Sequence, residues 1–304
     1  MPMNPLTAAG GPGAAAVTLS LWLLLLLAVG ICFLVYFSIR QNQLTVSRYT
    51  LPTKKLRRPV RVVLLADLHE KLFGSGNSRL LSAIRQQKPD LVLVAGDMVD
   101  TPSSEGAAPL ALMRALSQEY FVYYSLGNHE LRTKGRSSYL KNLNASGVSL
   151  LDNEMVYLTV NGQQLLIGGM TCEPDEAPDL TGHFFQRFES SSACKLLLCH
   201  YPHLFENYLR YRDIDLVLSG HAHGGQVRIP LLRQGLFAPQ QGIFPRYTAG
   251  LHRYRSCSMV VSRGLGNPYA IPRMFNPPEI VVIDLAPDSS RERPSDAPKA
   301  APRA

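Results

Sequence analysis

Hydrophobic positions along this chain change rhythm near residue 39. Residues 17–38 (VTLSLWLLLLLAVGICFLVYFS) form an unbroken uncharged run. At about 1.5 Å rise per residue, roughly 20 apolar residues span the hydrocarbon core of a bilayer. The run predicts a transmembrane helix, with Trp22 and Tyr36 toward its two ends, where interfacial aromatics are favoured. A cleaved signal peptide is the competing reading, and it asks for a basic segment before the run and a small-residue cleavage site after it. Residues 1–16 carry no Lys or Arg, no A-x-A follows the run, and Ile31 before Cys32 fits a lipoprotein signal poorly. The expectation is an uncleaved anchor.

From residue 60 onward, short apolar runs alternate with helix-like stretches. Residues 60–66 (VRVVLLA), 91–95 (LVLVA), 121–126 (FVYYSL), 195–199, 214–218, 258–262 and 280–285 read as buried strands. Residues 77–88 predict a helix, with Leu80, Leu81 and Ile84 at helical spacing, Asn77 as its N-cap and Pro89 as its stop. Residues 109–118 predict a second helix. Residues 155–160 and 163–168 flank Asn161-Gly162, the strongest short hairpin signal. Strand–helix alternation followed by hairpins predicts an α/β domain with mixed sheets. The expected organisation is an uncharged segment at 1–16, the membrane helix at 17–38, a basic juxtamembrane linker at 39–59, the α/β domain at 60–285 and a disordered Pro- and Ala-rich tail at 286–304.

Charge changes this picture in one respect. The 304 residues carry a formal net charge of +8, which first suggests nucleic acid or an acidic membrane surface. Seven of those charges sit in one acid-free stretch, Arg40, Arg48, Lys54, Lys55, Arg57, Arg58 and Arg61, while residues 62–285 are neutral by count. A nucleic-acid binder spreads a basic face over its own domain, so no nucleic-acid partner is expected. Basic residues after an apolar helix instead point to an anionic leaflet, and by the positive-inside rule to a cytoplasmic soluble part. An extracytoplasmic placement stays open. Beyond the membrane run, Cys172, Cys194, Cys199 and Cys257 have no zinc or disulfide spacing.

The chemistry lies at the strand ends. Asp67-Leu68-His69, Gly96-Asp97-Met98-Val99-Asp100, Gly127-Asn128-His129-Glu130, His200 and Gly220-His221-Ala222-His223 each follow a predicted strand. In open α/β sheets ligands gather beyond the carboxyl ends of strands, so these clusters are set to converge. Five of the eight histidines fall in them; His183, His203 and His252 have no motif context. Any one cluster alone reads more simply as a turn or a surface pair. Together, in this order, carboxylate, imidazole and side-chain amide make a ligand set for Mn²⁺, Fe or Zn²⁺.

This series resembles the calcineurin-like metallophosphoesterases over residues 60–285. Gly224-Gly225-Gln226 and Arg263-Gly264-Leu265-Gly266 look closest to their membrane-associated bacterial branch, the YkuE- and YaeI-like phosphodiesterases. The resemblance implies a four-layer α/β/β/α sandwich and two divalent metal ions, with Mn²⁺ the leading candidate. It implies that Asp67, His69 and His223 hold one ion, that Asn128, His200 and His221 hold the other, and that Asp97 bridges them. His129 would stand over the leaving group, and Asp100 would orient a neighbour. Glu130 stands where the family often has Asp, and residues 70–74 depart from the family's usual pattern at the pocket rim.

The expected function is a membrane-anchored phosphoesterase that cleaves phosphodiester or pyrophosphate bonds by attack of a metal-bridging hydroxide. A lipid-linked or nucleotide–lipid substrate would explain the anchor. Arg228, Arg263, Tyr269 and Arg273 are candidates for reading that substrate. The alternatives are a phosphoprotein phosphatase and a non-catalytic metal-binding scaffold. Nothing in the sequence fixes an oligomeric state.

Overall fold

The structure, a computed structural model, describes residues 12–100, 106–172, 182–268 and 271–288. It divides into two units, residues 1–43 and 44–304. Within the first, helix α1 runs Pro12–Asn42. Its stretch Ala15–Phe37, 23 residues, is long and apolar enough to cross a membrane.

The second unit opens with strand β1, Thr45–Thr53, and continues with β2 (Val60–Leu65), α2 (Ser78–Gln87), β3 (Leu91–Val94), α3 (Ala107–Ser117) and β4 (Phe121–Tyr124). Then come α4 (Asn128–Arg132), α5 (Arg136–Ala145), β5 (Ser149–Leu150), the hairpin β6 (Glu154–Val160) and β7 (Gln163–Met170), α6 (His183–Glu189), β8 (Cys194–Cys199) and β9 (Leu216–Ser219). Two small hairpins follow, β10 (Arg228–Ile229) with β11 (Gln234–Gly235) and β12 (Phe237–Ala238) with β13 (Gly242–Ile243). The chain ends its described course through β14 (Gly250–Tyr254), β15 (Cys257–Val261) and β16 (Glu279–Pro287).

Two six-stranded mixed sheets result, ordered β1-β16-β2-β3-β4-β5 and β14-β15-β9-β8-β7-β6. The strands that carry the motifs run parallel within each sheet. Alternation along each strand decides which layer it feeds. Val62 and Leu64 of β2 join Leu196, Leu198, Leu216 and Leu218 of the other sheet in one core. Val63 and Leu65 point the other way, onto Leu80, Ile84, Leu112 and Leu116 of α2 and α3. On the far face of the second sheet, Leu197 and Val217 pack with Phe185 and Phe188 of α6. The order is therefore helices, sheet, sheet, helices, the expected four-layer sandwich. Strands buried on both faces read as continuous apolar runs, which is why the central ones were legible.

The structure corrects the expectation of a basic linker at 39–59. Residues 45–53 form an edge strand, paired in parallel with β16 from Thr45↔Glu279 to Thr53↔Pro287. One face of TVSRYTLPT packs Tyr49 and Leu51 on the inter-sheet core, and the other carries Arg48 outward. Several of the basic side chains are also spoken for: Lys55 pairs with Asp215 at 2.8 Å, Arg61 with Asp284 at 2.6 Å, and Arg48 donates to Gln87. Asn77 differs from expectation as well. It adopts a left-handed conformation without capping α2 through its side chain, and its Oδ1 accepts the amide of Phe73. Cys194, Cys199 and Cys257 are buried free thiols. Most of the expected tail, residues 289–304, lies outside the described residues.

Candidate metal centre

Every motif residue sits just past the carboxyl end of a strand or at the start of the helix that follows. Five of them, Asp67 (φ 52°), His69 (46°), Asp97 (54°), His221 (65°) and His223 (45°), adopt left-handed backbone conformations. For residues other than glycine this costs about 1–3 kcal/mol each, and it persists only where the surroundings impose it. Here a web of loop hydrogen bonds does so: Asp67 N donates to Gly96 O (3.0 Å), His69 N to Asp97 O (3.2 Å) and His221 N to Asp67 Oδ1 (2.8 Å). Gly127 is required by close approach, since a Cβ there would run into the Asp97 carboxylate.

The structure gathers the side chains into three overlapping groups: Asp67, His69 and His223; His69, Asp97 and His129; and Asp97, His200 and His221. Within each group the potential ligand atoms lie within 4.8 Å of one another. Asp97 and His69 each belong to two of them. Asp97 Oδ2 lies 3.0 Å from His200 Nε2, which in turn lies 3.2 Å from His221 Nδ1. Asn128 Oδ1, Asp67 Oδ2 and both ring nitrogens of His69 are buried without a hydrogen-bond partner among the described residues. Buried polar atoms are nearly always satisfied, so this set of oxygen and nitrogen acceptors fits divalent cations of the Mn²⁺, Fe or Zn²⁺ kind. His183, His203 and His252 join none of the groups.

Electrostatics supports the same reading. Burial lowers His69 and His221 to about 3 and holds His223 well below its ordinary value, so these imidazoles are neutral and able to ligate. Burial pushes the Asp67 carboxyl up to about 7. Burial would also lower His200, but the charge of Asp97 and its hydrogen bond outweigh this and lift His200 to about 9. The imidazoles around Asp97, His200 foremost, overcome its burial and hold its carboxyl well below the usual range. As ligands, Asp67 and His200 would have to give up protons, so metal uptake there would release protons and affinity would rise with pH.

A ring of partners fixes these groups. Glu130 is fully buried, and its carboxylate accepts the amides of Asp97 (2.8 Å), Met98 (2.7 Å) and Gly127 (2.9 Å) and the hydroxyl of Tyr124 (2.6 Å). Asp100 Oδ1 lies 3.3 Å from His129 Nδ1 and 4.0 Å from His69 Nδ1. His200 Nδ1 hydrogen-bonds Ala95 O at 2.6 Å, and His221 Nε2 hydrogen-bonds Gln240 Oε1 at 2.6 Å. Such outer partners select which ring nitrogen faces the ion. Sequence reasoning missed Gln240, which lies in a loop with no periodicity or motif, and Tyr124, which reads as an ordinary strand residue.

The four expected substrate residues separate. Arg228 and Arg263 line a cavity of about 580 Å³, together with Tyr49, Arg233 and Glu279. Arg273 is a correction. Its guanidinium is buried and donates to the carbonyls of Asn276 (3.0 Å), Gly264 (3.1 Å), Gly266 (2.7 Å) and Arg263 (2.5 Å), so it braces the loop after β15 and is not offered to a substrate. Tyr269 lies outside the described residues.

The family model for calcineurin-like phosphoesterase matches residues 60–225, more than half of the chain. The chain is 30% identical over 238 residues to phosphodiesterase YaeI of Escherichia coli strain K12, covering 75% of this chain and 82% of that one. It is 28% identical over 209 residues to the metallophosphoesterase YkuE of Bacillus subtilis strain 168, covering 68% and 71%. A transmembrane protein with a metallophosphoesterase domain from Danio rerio is 29% identical over 254 residues, covering 77% of this chain and 56% of that protein.

Proposed function

The chain belongs to the calcineurin-like phosphoesterase family and hydrolyses phosphoester bonds, and from that premise we propose that it is a membrane-anchored, two-metal phosphodiesterase whose substrate is presented at a membrane. The observation that carries this reading is the sharing of Asp97 between ligand groups that also contain His69 and His200–His221. Asp67, His69 and His223 would hold one ion; Asn128, His200 and His221 would hold the other; and Asp97 would touch both. Bound there, two divalent cations supply the positive charge that activates water and neutralises the phosphate's non-bridging oxygens. The relative named a phosphodiesterase supports the diester over a phosphoprotein monoester.

The chain's own residues supply the rest. His129 is part exposed, its backbone amide donates to Asp97 Oδ1 at 2.8 Å, and Asp100 takes up Nδ1. That contact would orient the ring so that it could hand a proton to the departing oxygen. The apolar helix α1 supports anchoring, and the basic residues that follow it favour a cytoplasmic catalytic unit.

The test is turnover of bis-p-nitrophenyl phosphate against the monoester by the full chain. Diester hydrolysis is expected to vanish on chelation and return with Mn²⁺. No turnover of either ester with any divalent metal would support a scaffold and overturn the enzyme. In the same assay His129→Ala is expected to lower kcat by about 10²–10⁴-fold with metal content unchanged. An unaltered kcat would remove His129 from the mechanism.

A further inference from the structure

Where β1, β10, β14 and the start of β16 meet, Arg228, Arg233 and Arg263 line one cavity, and Arg228 reaches Gly224 O, one residue beyond His223. Its size, about 580 Å³, suits a small ligand or a head group. Glu279 is the acid in its lining, and that carboxylate is already engaged. It accepts the backbone amide of Arg263 at 2.8 Å, lies 3.1 Å from Arg263 Nε, and takes the hydroxyl of Ser47. Arg228 donates to neutral acceptors, the carbonyls of Gly224 and Arg233 and the hydroxyl of Thr248, so its charge is oriented without being neutralised. Burial foremost, and then the charge of Arg263, lower its hold on its proton, with Glu279 opposing them. Three guanidinium groups against one carboxylate leave a cationic floor that suits a phosphate, which guanidinium binds in bidentate fashion.

The turn that adjoins the cavity has the opposite character. The turn between β10 and β11 carries Leu231 and Leu232, 96% and 72% exposed. Phe275, also exposed, lines the mouth. Leu231 and Leu232 stand in the chain between Pro230 and Arg233, which both line the cavity, so exposed hydrocarbon adjoins a cationic lining and fits an amphipathic ligand. The covalent chain adds a second argument. Ser47, in the cavity wall, follows the last residue of α1 by five positions, a chain length of at most about 18 Å.

We propose that this cavity binds the phosphate of an anionic membrane phospholipid, apart from the metal centre, with the acyl chains leaving across Leu231 and Leu232. It rests on the reading that α1 anchors the chain in a membrane. The bound lipid would tie the catalytic unit to the bilayer surface. Free phosphate shares the head group's chemistry but cannot use the leucine turn.

The test is native mass spectrometry of the full chain in non-ionic detergent, titrated with short-chain phosphatidylglycerol. Phosphatidylcholine, glycerophosphoglycerol and inorganic phosphate serve as competitors. Arg233→Gln suits the purpose because Arg233 is exposed, whereas removing Arg263 would leave Glu279 as an unpaired buried charge. Phosphatidylglycerol is expected to bind in preference to phosphatidylcholine. Arg233→Gln should weaken it by about tenfold, the worth of one charge-assisted contact. Leu231→Asn should weaken the lipid and leave glycerophosphoglycerol unaffected. Unchanged lipid affinity in both variants overturns the site. Inorganic phosphate competing as well as the lipid reduces it to a plain anion site and overturns the lipid assignment. Parallel turnover of bis-p-nitrophenyl phosphate by the unaltered chain separates the two readings. Hydrolysis without lipid preference refutes only the lipid site, and lipid preference without hydrolysis refutes only the enzyme.

Discussion

Asp97→Asn is expected to abolish metal-dependent turnover, by at least about 10³-fold, while the protein still folds. The change keeps the shape of the side chain and one acceptor oxygen for the amide of His129. It removes the negative charge that sits 3.0 Å from His200 and belongs to two of the three ligand groups. Loss of an outer partner of a ligand costs about 10–100-fold in metal affinity or activity. Loss of a ligand shared by two ion positions must cost more. Asp97 is also what keeps His200 protonated near pH 7 in the metal-free protein, with burial opposing it. In the variant that imidazole becomes neutral, so a metal ion that still bound would release fewer protons. Metal content by elemental analysis and kcat/KM for the diester check the result together. Two bound Mn²⁺ ions and a rate within about tenfold of the parent would sink the bridging role.

Glu130→Ala is expected to give the largest loss of stability among changes near the site, about 3–5 kcal/mol. The carboxylate is fully buried and receives four donors: the amides of Asp97, Met98 and Gly127 and the hydroxyl of Tyr124. Removing it strands three backbone N–H groups, each costing about 1–3 kcal/mol when unpaired and buried. Domains of this kind have only about 5–15 kcal/mol to lose. Tm should fall by on the order of 10 °C, with metal binding weakened because the Asp97 turn is no longer pinned. Glu130→Gln keeps one acceptor oxygen and should fall between Ala and the parent. A Tm for the Ala variant within about 2 °C of the parent would show that the clamp carries no stability.

Glu130 also marks where reading the chain stops short. In the sequence it is only a Glu beside Asn128 and His129, at a position where the family often has Asp. The structure gives a reason for the longer side chain. It spans from α4 back to the turn after β3, tying residues 33 and 32 positions apart in the chain. Arg273 is the reverse case. As a late arginine near a phosphate site it looked available to substrate, and burial among loop carbonyls decides otherwise.

The sequence by itself determined the central strands, the apolar helix and the chemical types gathered at the strand ends, because each of these is written in local periodicity or in residues a few positions apart. Both faces of the central strands are buried, so their apolar runs are unbroken. The Asp-x-His and His-x-His pairs follow directly from where those strands stop. Only the tertiary structure decided that residues 45–53 are an edge strand, that Asp97 stands between ligand groups, and that Arg228, Arg233 and Arg263 share one cavity. Ser47 and Glu279 meet across 232 positions of chain, and Arg263 and Thr45 across 218. Contacts of that span are set by sheet register and packing, which leave no local pattern from which they could be read.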